Sequence, residues 1–434
     1  MKLITYLAIC TFSVSALQAQ ENQMLTLKDA IDFALQNKAD SKKAKLDVEN
    51  AEYQIAQVRS AVYPAINASG QLGYNPILQQ TYIEGFGAIA MGQTWNTAAA
   101  VQIQQNLFNQ QVFTGLKAAK TTREFYQLNS ELTDEQVIER VATAYYNVFV
   151  AKKQLNTIDS SYVFTEKTRN IIKSLFDNGL AKKIDLDRVN VSLVNIQSTQ
   201  QQLANAVNLQ ENALKFYIGM QISQQITLSD EDFEINKYLL NDSVEVENLT
   251  QMKVLEKQHQ LLELQKETVK ARFYPTLALT GTYAYVGLGN KFPLSSGTYW
   301  SDYATIGLSL NIPIFNGFAI KSDVQMADIG LRKLQQDIDD SKLGLQLDYQ
   351  NAKAQIENNL SVIDYQKKNV ELAQEVVGNT QNNYMQGLSN LTDLLDAENA
   401  LVQAKNNYSN AVLQYKLAEV QLLKSKGELL RLKE

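Results

Sequence analysis

Two periodicities alternate along this chain. In four short windows the apolar or small residues recur at every second position. Ile66, Ala68, Gly70, Leu72 and Tyr74 alternate with Asn67, Ser69 and Gln71, and Val101, Ile103 and Leu107 alternate with Gln102, Gln104 and Asn106. Leu277, Leu279, Tyr283 and Tyr285 alternate with Ala278, Thr280 and Thr282, and Ile306, Leu308, Leu310 and Ile312 alternate with Thr305, Gly307, Ser309 and Asn311. Period two predicts four strands, each with one apolar face. All five prolines (Pro64, Pro76, Pro275, Pro293 and Pro313) lie in or beside these windows. Proline breaks helices, so the proline-free tracts are where long helices are expected. There the spacing changes to alternating threes and fours. One stripe runs Leu186, Val189, Leu193, Ile196, Gln200, Leu203, Val207, Gln210, Leu214, and another Leu394, Ala397, Leu401, Ala404, Tyr408, Ala411, Tyr415, Ala418, Leu422. This spacing specifies coiled-coil packing.

The two sets of elements are copies. Tyr63-Pro64 recurs as Tyr274-Pro275, Leu107-Phe108-Asn109 as Ile314-Phe315-Asn316, and Gly179-Leu180 with Asp185-Leu186 as Gly387-Leu388 with Asp393-Leu394. Landmarks returning in one order imply a tandem duplication of a structural unit. From Gln110 to Asp177 the only glycine is Gly115 and there is no proline. A helix over that tract reaches about 100 Å at 1.5 Å per residue. Gly179 and Gly387 interrupt the long helical tracts, and a left-handed glycine ending one helix predicts two tight hairpin turns. Asp185 and Asp393 then fall in the first turns of the return helices, where the helix dipole favours carboxylates.

The polar faces of the strands are uncharged, the strands approach the ~10 residues of a tilted membrane strand, and aromatics gather near their ends. Tyr74, Trp95, Tyr299 and Trp300 are candidates for an aromatic belt at the lipid headgroups. Beyond the N-terminus no tract has the ~18 apolar residues of a membrane helix, so a membrane would have to be crossed by strands. Four strands do not close a barrel whose known minimum is about eight. Several chains must therefore share one, and strand counting leaves two or three copies open. Lys2, the apolar tract Leu3–Ala16 and the small or polar residues to Gln20 have the layout of a secretory leader over 1–19. The only cysteine, Cys10, lies inside it. The mature chain is then expected to hold no disulfide and no thiolate metal site.

Composition narrows the function further. Lysine and arginine (40) are fewer than aspartate and glutamate (46), with no basic block, which argues against a nucleic-acid partner. His259 is the only histidine, in a polar helical stretch, so it reads as a surface residue. A metal cluster, a catalytic triad and a phosphate loop all lack their residues. No cofactor, metal or enzymatic activity is expected.

The order of leader, helix, Tyr-Pro strand, aromatic loop, strand, long helix, Gly-Leu turn and return helix, given twice, resembles the TolC family of outer-membrane efflux proteins. The most specific pieces are Ile312-Pro313-Ile314-Phe315-Asn316-Gly317, and Tyr384-Met385-Gln386-Gly387-Leu388 leading to Asp393-Leu394-Leu395-Asp396. The resemblance implies a mixed fold, a membrane β-barrel continuing into a long α-helical coiled-coil barrel. It also implies a homotrimer with four strands per chain in a twelve-stranded barrel.

The organisation implied is a leader (1–19), an N-terminal periplasmic helix (20–60), a first membrane strand pair with its extracellular loop (61–109) and a first helical hairpin (110–219). An equatorial segment and helix (220–271), a second strand pair and loop (272–316), and a second hairpin with the C-terminal segment (317–434) follow. The partners implied are outer-membrane lipid, a periplasmic adaptor and an inner-membrane transporter. Gly179, Leu180, Gly387 and Leu388 match the family's adaptor-docking tips. Asp185, Tyr384, Asp393 and Asp396 match the residues that narrow the tunnel at its periplasmic end. Where relatives carry an arginine that ties the closed state, this chain has Ser389. The function implied is passive conduction of substrates through a tripartite efflux or type I secretion system. The competing reading is a periplasmic adaptor or coiled-coil scaffold, which is expected to have one hairpin between halves of small β domains rather than two hairpins each preceded by a strand pair.

Overall fold

The computed structural model describes residues 24–229, 244–293 and 296–433. The expected leader with Cys10, and part of the expected equatorial segment, lie outside the described residues. The elements run β1 (Met24–Leu25), α1 (Leu27–Asn37), α2 (Ala39–Ser60), β2 (Ala65–Tyr74), β3 (Gln79–Ile83), β4 (Gly87–Met91), β5 (Trp95–Phe108), α3 (Gln110–Asp177) and α4 (Lys183–Ile218). They continue with β6 (Thr227–Leu228), α5 (Thr250–Lys270), β7 (Thr276–Gly289), β8 (Tyr299–Asn311), α6 (Ala319–Met385) and α7 (Leu391–Lys426). No helix among the described residues is long and apolar enough to cross a membrane.

The four period-two windows form one antiparallel sheet in the order β2-β5-β7-β8. Its register joins the two copies: Ile66 lies opposite Ile103, Ile103 opposite Gly281, and Gly281 opposite Ile306. The same alignment carries Ala68 through Val101 and Tyr283 to Ala304. The strands therefore gather most of their apolar positions on one continuous face, on which Gln105 and Asp302 also fall, and a bulge between Asn106 and Phe108 puts Phe108 rather than the expected Leu107 opposite Leu277. That face is uncovered, with Ile306 83% exposed, Leu308 67% and Ile66 63%. Asn67, Gln102, Thr282 and Thr305 line the other face. Burying an apolar side chain contributes about 1.5–3 kcal/mol, so a bare face of this size needs an apolar medium. β2 and β8 are left as unpaired edges.

Two features differ from the sequence expectation. The N-terminal helical region is two helices, broken at Lys38, whose backbone is extended (φ −64°, ψ 135°). No proline or glycine marks this break. It is held by the end of α4: Lys38 Nζ donates to the Phe216 carbonyl at 3.0 Å and sits 3.8 Å above the Phe216 ring. Gly219 makes the approach possible, because a Cβ there would lie 3.0 Å from the Asn37 carbonyl group. The first strand pair also carries an extra hairpin, β3–β4, in what sequence suggested was loop.

The helices pack as two antiparallel hairpins, α3 with α4 and α6 with α7, with α2 against α3 and α5 between α3 and α6. The heptad stripes face inward. Val189, Leu193, Val207 and Leu214 are buried in α4, and Leu394, Ala397, Leu401, Ala404, Ala411, Tyr415, Ala418 and Leu422 in α7. Gln210 is the exception and is exposed, whereas Gln200 stays at the seam by donating to Asp159 Oδ1 at 2.7 Å. The main core lies midway along α3 and α6, where the return helices come to their ends, and Ile31 of α1, Ile138 and Val141 of α3, Leu214 and Ile218 of α4, Ile356 of α6 and Tyr415 of α7 are all fully buried there.

Candidate functional site at the hairpin tips

Both long helices end in the same way. At the first tip the Leu180 N–H donates to the Leu175 carbonyl at 2.8 Å and the Gly179 N–H to the Phe176 carbonyl at 2.9 Å. At the second, Leu388 donates to Asn383 at 2.8 Å and Gly387 to Tyr384 at 3.0 Å. This paired pattern needs a left-handed residue, and Gly179 (φ 73°) and Gly387 (φ 74°) supply it. The residue after such a glycine ordinarily packs back on its own helix. Here Leu180 and Leu388 are 76% and 74% exposed, so each tip presents a bare leucine on a rigid turn.

Of the four acid and tyrosine residues singled out by sequence, Asp185 and Tyr384 come near enough for the charge of the first to act on the second. The Tyr384 ring is partly buried against a small core of Ile172, Val189 and Leu391, which joins the two hairpins of one chain just behind their tips. Burial raises the Tyr384 phenol above its ordinary value, and the negative charge of Asp185 raises it further, since both disfavour the phenolate. Asp393 is engaged elsewhere. Its backbone N–H donates to Asn390 Oδ1 at 2.9 Å, and its Oδ2 accepts from the Asn390 N–H at 3.2 Å and from Ser389 Oγ at 3.0 Å. This capping box satisfies two of the free N–H groups that open α7. Asp396, one turn further, is exposed.

Two contributions were not read from the sequence. Ser389, noted only as the absence of an arginine, is a hydrogen-bond donor to Asp393. Arg188, on the first turns of α4, donates from Nη1 to Thr392 Oγ1 of α7 at 2.7 Å and ties the two return helices together. A pair 204 positions apart leaves no local signature.

At the opposite end of the molecule the four aromatic candidates gather at one end of the sheet. Tyr74 lies opposite Trp95, and Trp95 opposite Gly289. Trp300 lies opposite Gly287, with Tyr299 beside it. The Tyr74 and Trp95 rings are 4.6 Å apart, and Tyr285 stacks on Trp300 at 5.0 Å. Gly287 leaves room for the indole, since a Cβ there would meet Trp300 at 2.9 Å.

The model of the outer membrane efflux protein family matches residues 30–220 and 243–428, one match on each repeat. Outer membrane protein TolC of Escherichia coli (strain K12) is 24% identical over 442 residues, spanning 96% of this chain and 84% of that protein. Cation efflux system protein CusC of the same strain is 24% identical over 429 residues, spanning 92% and 86%. Among solved structures, the Campylobacter jejuni CmeC outer membrane channel superposes with a TM-score of 0.76 at 17% identity, covering 93% of this chain and 85% of that one. Matches running through both hairpins and both strand pairs are to outer-membrane proteins and channels, which removes the adaptor and scaffold alternative. With its duplicated strand pairs and hairpins and a family match across both repeats, the chain belongs to the outer membrane efflux protein family.

Proposed function

We propose that three copies of the chain close a twelve-stranded barrel in the outer membrane and extend their helices into the periplasm as one tunnel, through which substrates pass without chemistry. The observation that carries this reading is the sheet itself: four strands, a bare apolar face, an uncharged polar face and two free edges. Edge-to-edge pairing of β8 with β2 of the next copy satisfies the open backbone groups, and lipid covers the apolar face. Residues 61–109 and 272–316 are then the membrane strand pairs with their extracellular loops, with Tyr74, Trp95, Tyr299 and Trp300 at the headgroups. Residues 110–219 and 317–434 form the tunnel wall.

The exposed Leu180 and Leu388 on their glycine turns fit a docking surface for a periplasmic adaptor, which couples the channel to an inner-membrane transporter. Close to the threefold axis, Asp185, Tyr384, Asp393 and Asp396 narrow the entrance. Three like charges near one axis repel, which makes closure sensitive to cations.

Topology is the direct test. With Cys10 replaced, single cysteines at Ser296 and Gly387 are treated with a membrane-impermeant maleimide on intact cells. Labelling at 296, and at 387 only after the outer membrane is permeabilised, is expected. Protection of both sites until permeabilisation, in folded protein, would overturn the membrane assignment.

A further inference from the structure

The two strand pairs differ beyond the aromatic residues. In the second copy only nine residues (290–298) separate Gly289 from Tyr299. In the first, the chain continues past Tyr74 and Trp95, held by Asn75 N–H to the Thr94 carbonyl at 2.7 Å, into the β3–β4 hairpin. Among the described residues this hairpin pairs with no other strand, and both its faces are open. Ile77 is 88% exposed, Phe86 81% and Tyr82 76%, with Met91 and Ile89 also uncovered. Between Asn75 and Thr94 the only charged residue is Glu84. A lone two-stranded hairpin is marginal in water, and one with apolar side chains on both faces is more so. Its composition calls for an apolar cover.

Resting on the trimeric reading above, we propose that the 75–94 hairpins of the three copies pack on one another over the outer mouth of the barrel and cap the exit. Position and reach support a second copy as the occupant. The hairpin springs from the β2 edge, the side on which the next copy's β8 must pair. A twelve-stranded barrel with strands ~4.8 Å apart and tilted ~40° has a radius of about 12 Å, whereas five residues of strand extend about 17 Å. Leaning inward, three such hairpins are long enough to meet at the axis, with Phe86 in the turn. Lipid is the poorer cover. The hydrocarbon span ends at the Tyr74–Trp95 level, and Gln79, Gln80 and Glu84 would enter the membrane with the apolar residues.

The test uses the full-length chain in outer membranes, with Cys10 replaced and Phe86→Cys introduced, and Tyr82→Cys as a second site. Mild oxidation or a short bismaleimide is expected to shift the boiled chain from a monomer to a linked-dimer band. Tyr82→Ser with Phe86→Ser is expected to raise single-channel conductance. Cysteines that take an impermeant maleimide yet never link, in channels that still run as trimers and conduct, would overturn the cap alone. Quenching of a fluorophore at position 86 by brominated lipid would overturn it in favour of membrane insertion. Absence of trimers would overturn the cap together with the assembly it rests on.

Discussion

The two hairpin tips descend from one duplicated unit, and they have kept the turn while dividing the work of the acid that follows it. Both reverse the chain through the same pair of backbone bonds and a left-handed glycine. Beyond the glycine they part. The second tip opens α7 with Asn390 and a full capping box that occupies Asp393. The first opens α4 with Lys182, which makes no side-chain cap bond, and with Lys183 beside it. Lysines at a helix N-terminus oppose the dipole. Asp185, the counterpart of Asp393, makes no capping bond to its own helix start and lies close enough to Tyr384 for its charge to raise that phenol. One copy uses its acid to build a helix start; the other leaves it out of the cap, with its charge felt at Tyr384.

The largest effects should fall on what the tips share. Gly179→Val and Gly387→Val each force a β-branched residue to positive φ, at a cost of about 1–3 kcal/mol. Both are expected to abolish the channel conductance of the purified protein in lipid bilayers and to do so alike; a large difference between them would show that the common turn is not the shared requirement.

Next come the caps, where the tips should diverge. Asn390→Ala is expected to destabilise the start of α7 by about 1 kcal/mol, while Lys182→Asn stabilises the start of α4 by a similar amount. Hydrogen exchange of the first-turn amides of each helix reads both, and equal responses would dissolve the contrast.

The entrance sharpens it further. Both carboxylates are exposed, but Asp393 is held by Asn390 and Ser389, so Asp396→Ala is expected to relieve block by divalent cations more than Asp393→Ala does. Single-channel recordings decide, and an equal effect would place both carboxylates in the lumen.

A smaller effect concerns the pH response of Tyr384. Its raised phenol means that the folded chain holds the proton more tightly than the unfolded one, so its contribution to stability is present below the ordinary value of 10.0 and is lost as pH rises through the folded value. Asp185→Asn removes one of the two causes and should bring the phenol down part of the way, burial remaining. The ring-labelled tyrosine NMR signal assigned through Tyr384→Phe follows it; no movement would separate Asp185 from Tyr384.

The smallest expected effect is at Arg188. An exposed hydrogen bond to Thr392 is worth under about 1 kcal/mol, measurable as the coupling between Arg188→Ala and Thr392→Val in a double-mutant cycle.

Much of this was open to reading along the chain. Period two located the four long strands, the heptad stripes located the buried faces of α4 and α7, and glycine followed by leucine located the turns. These signals are local, because a strand or helix face repeats within a few residues. Where polar residues sat in the stripe, sequence did not distinguish Gln200, which finds Asp159, from Gln210, which faces solvent. The β3–β4 hairpin escaped notice because glycines at 85, 87 and 92 break its alternation and read as loop.

By itself, then, the sequence determined the duplicated unit, the kinds of element and their chemical faces, since each is set by residues close in the chain. Only the tertiary structure decided how the copies meet: the register that merges four apolar faces into one, the break at Lys38 beneath Phe216, the charge of Asp185 reaching Tyr384, and Arg188 on Thr392. Those partners lie up to about two hundred positions apart, and no local pattern encodes a contact that exists only after two long hairpins have packed together.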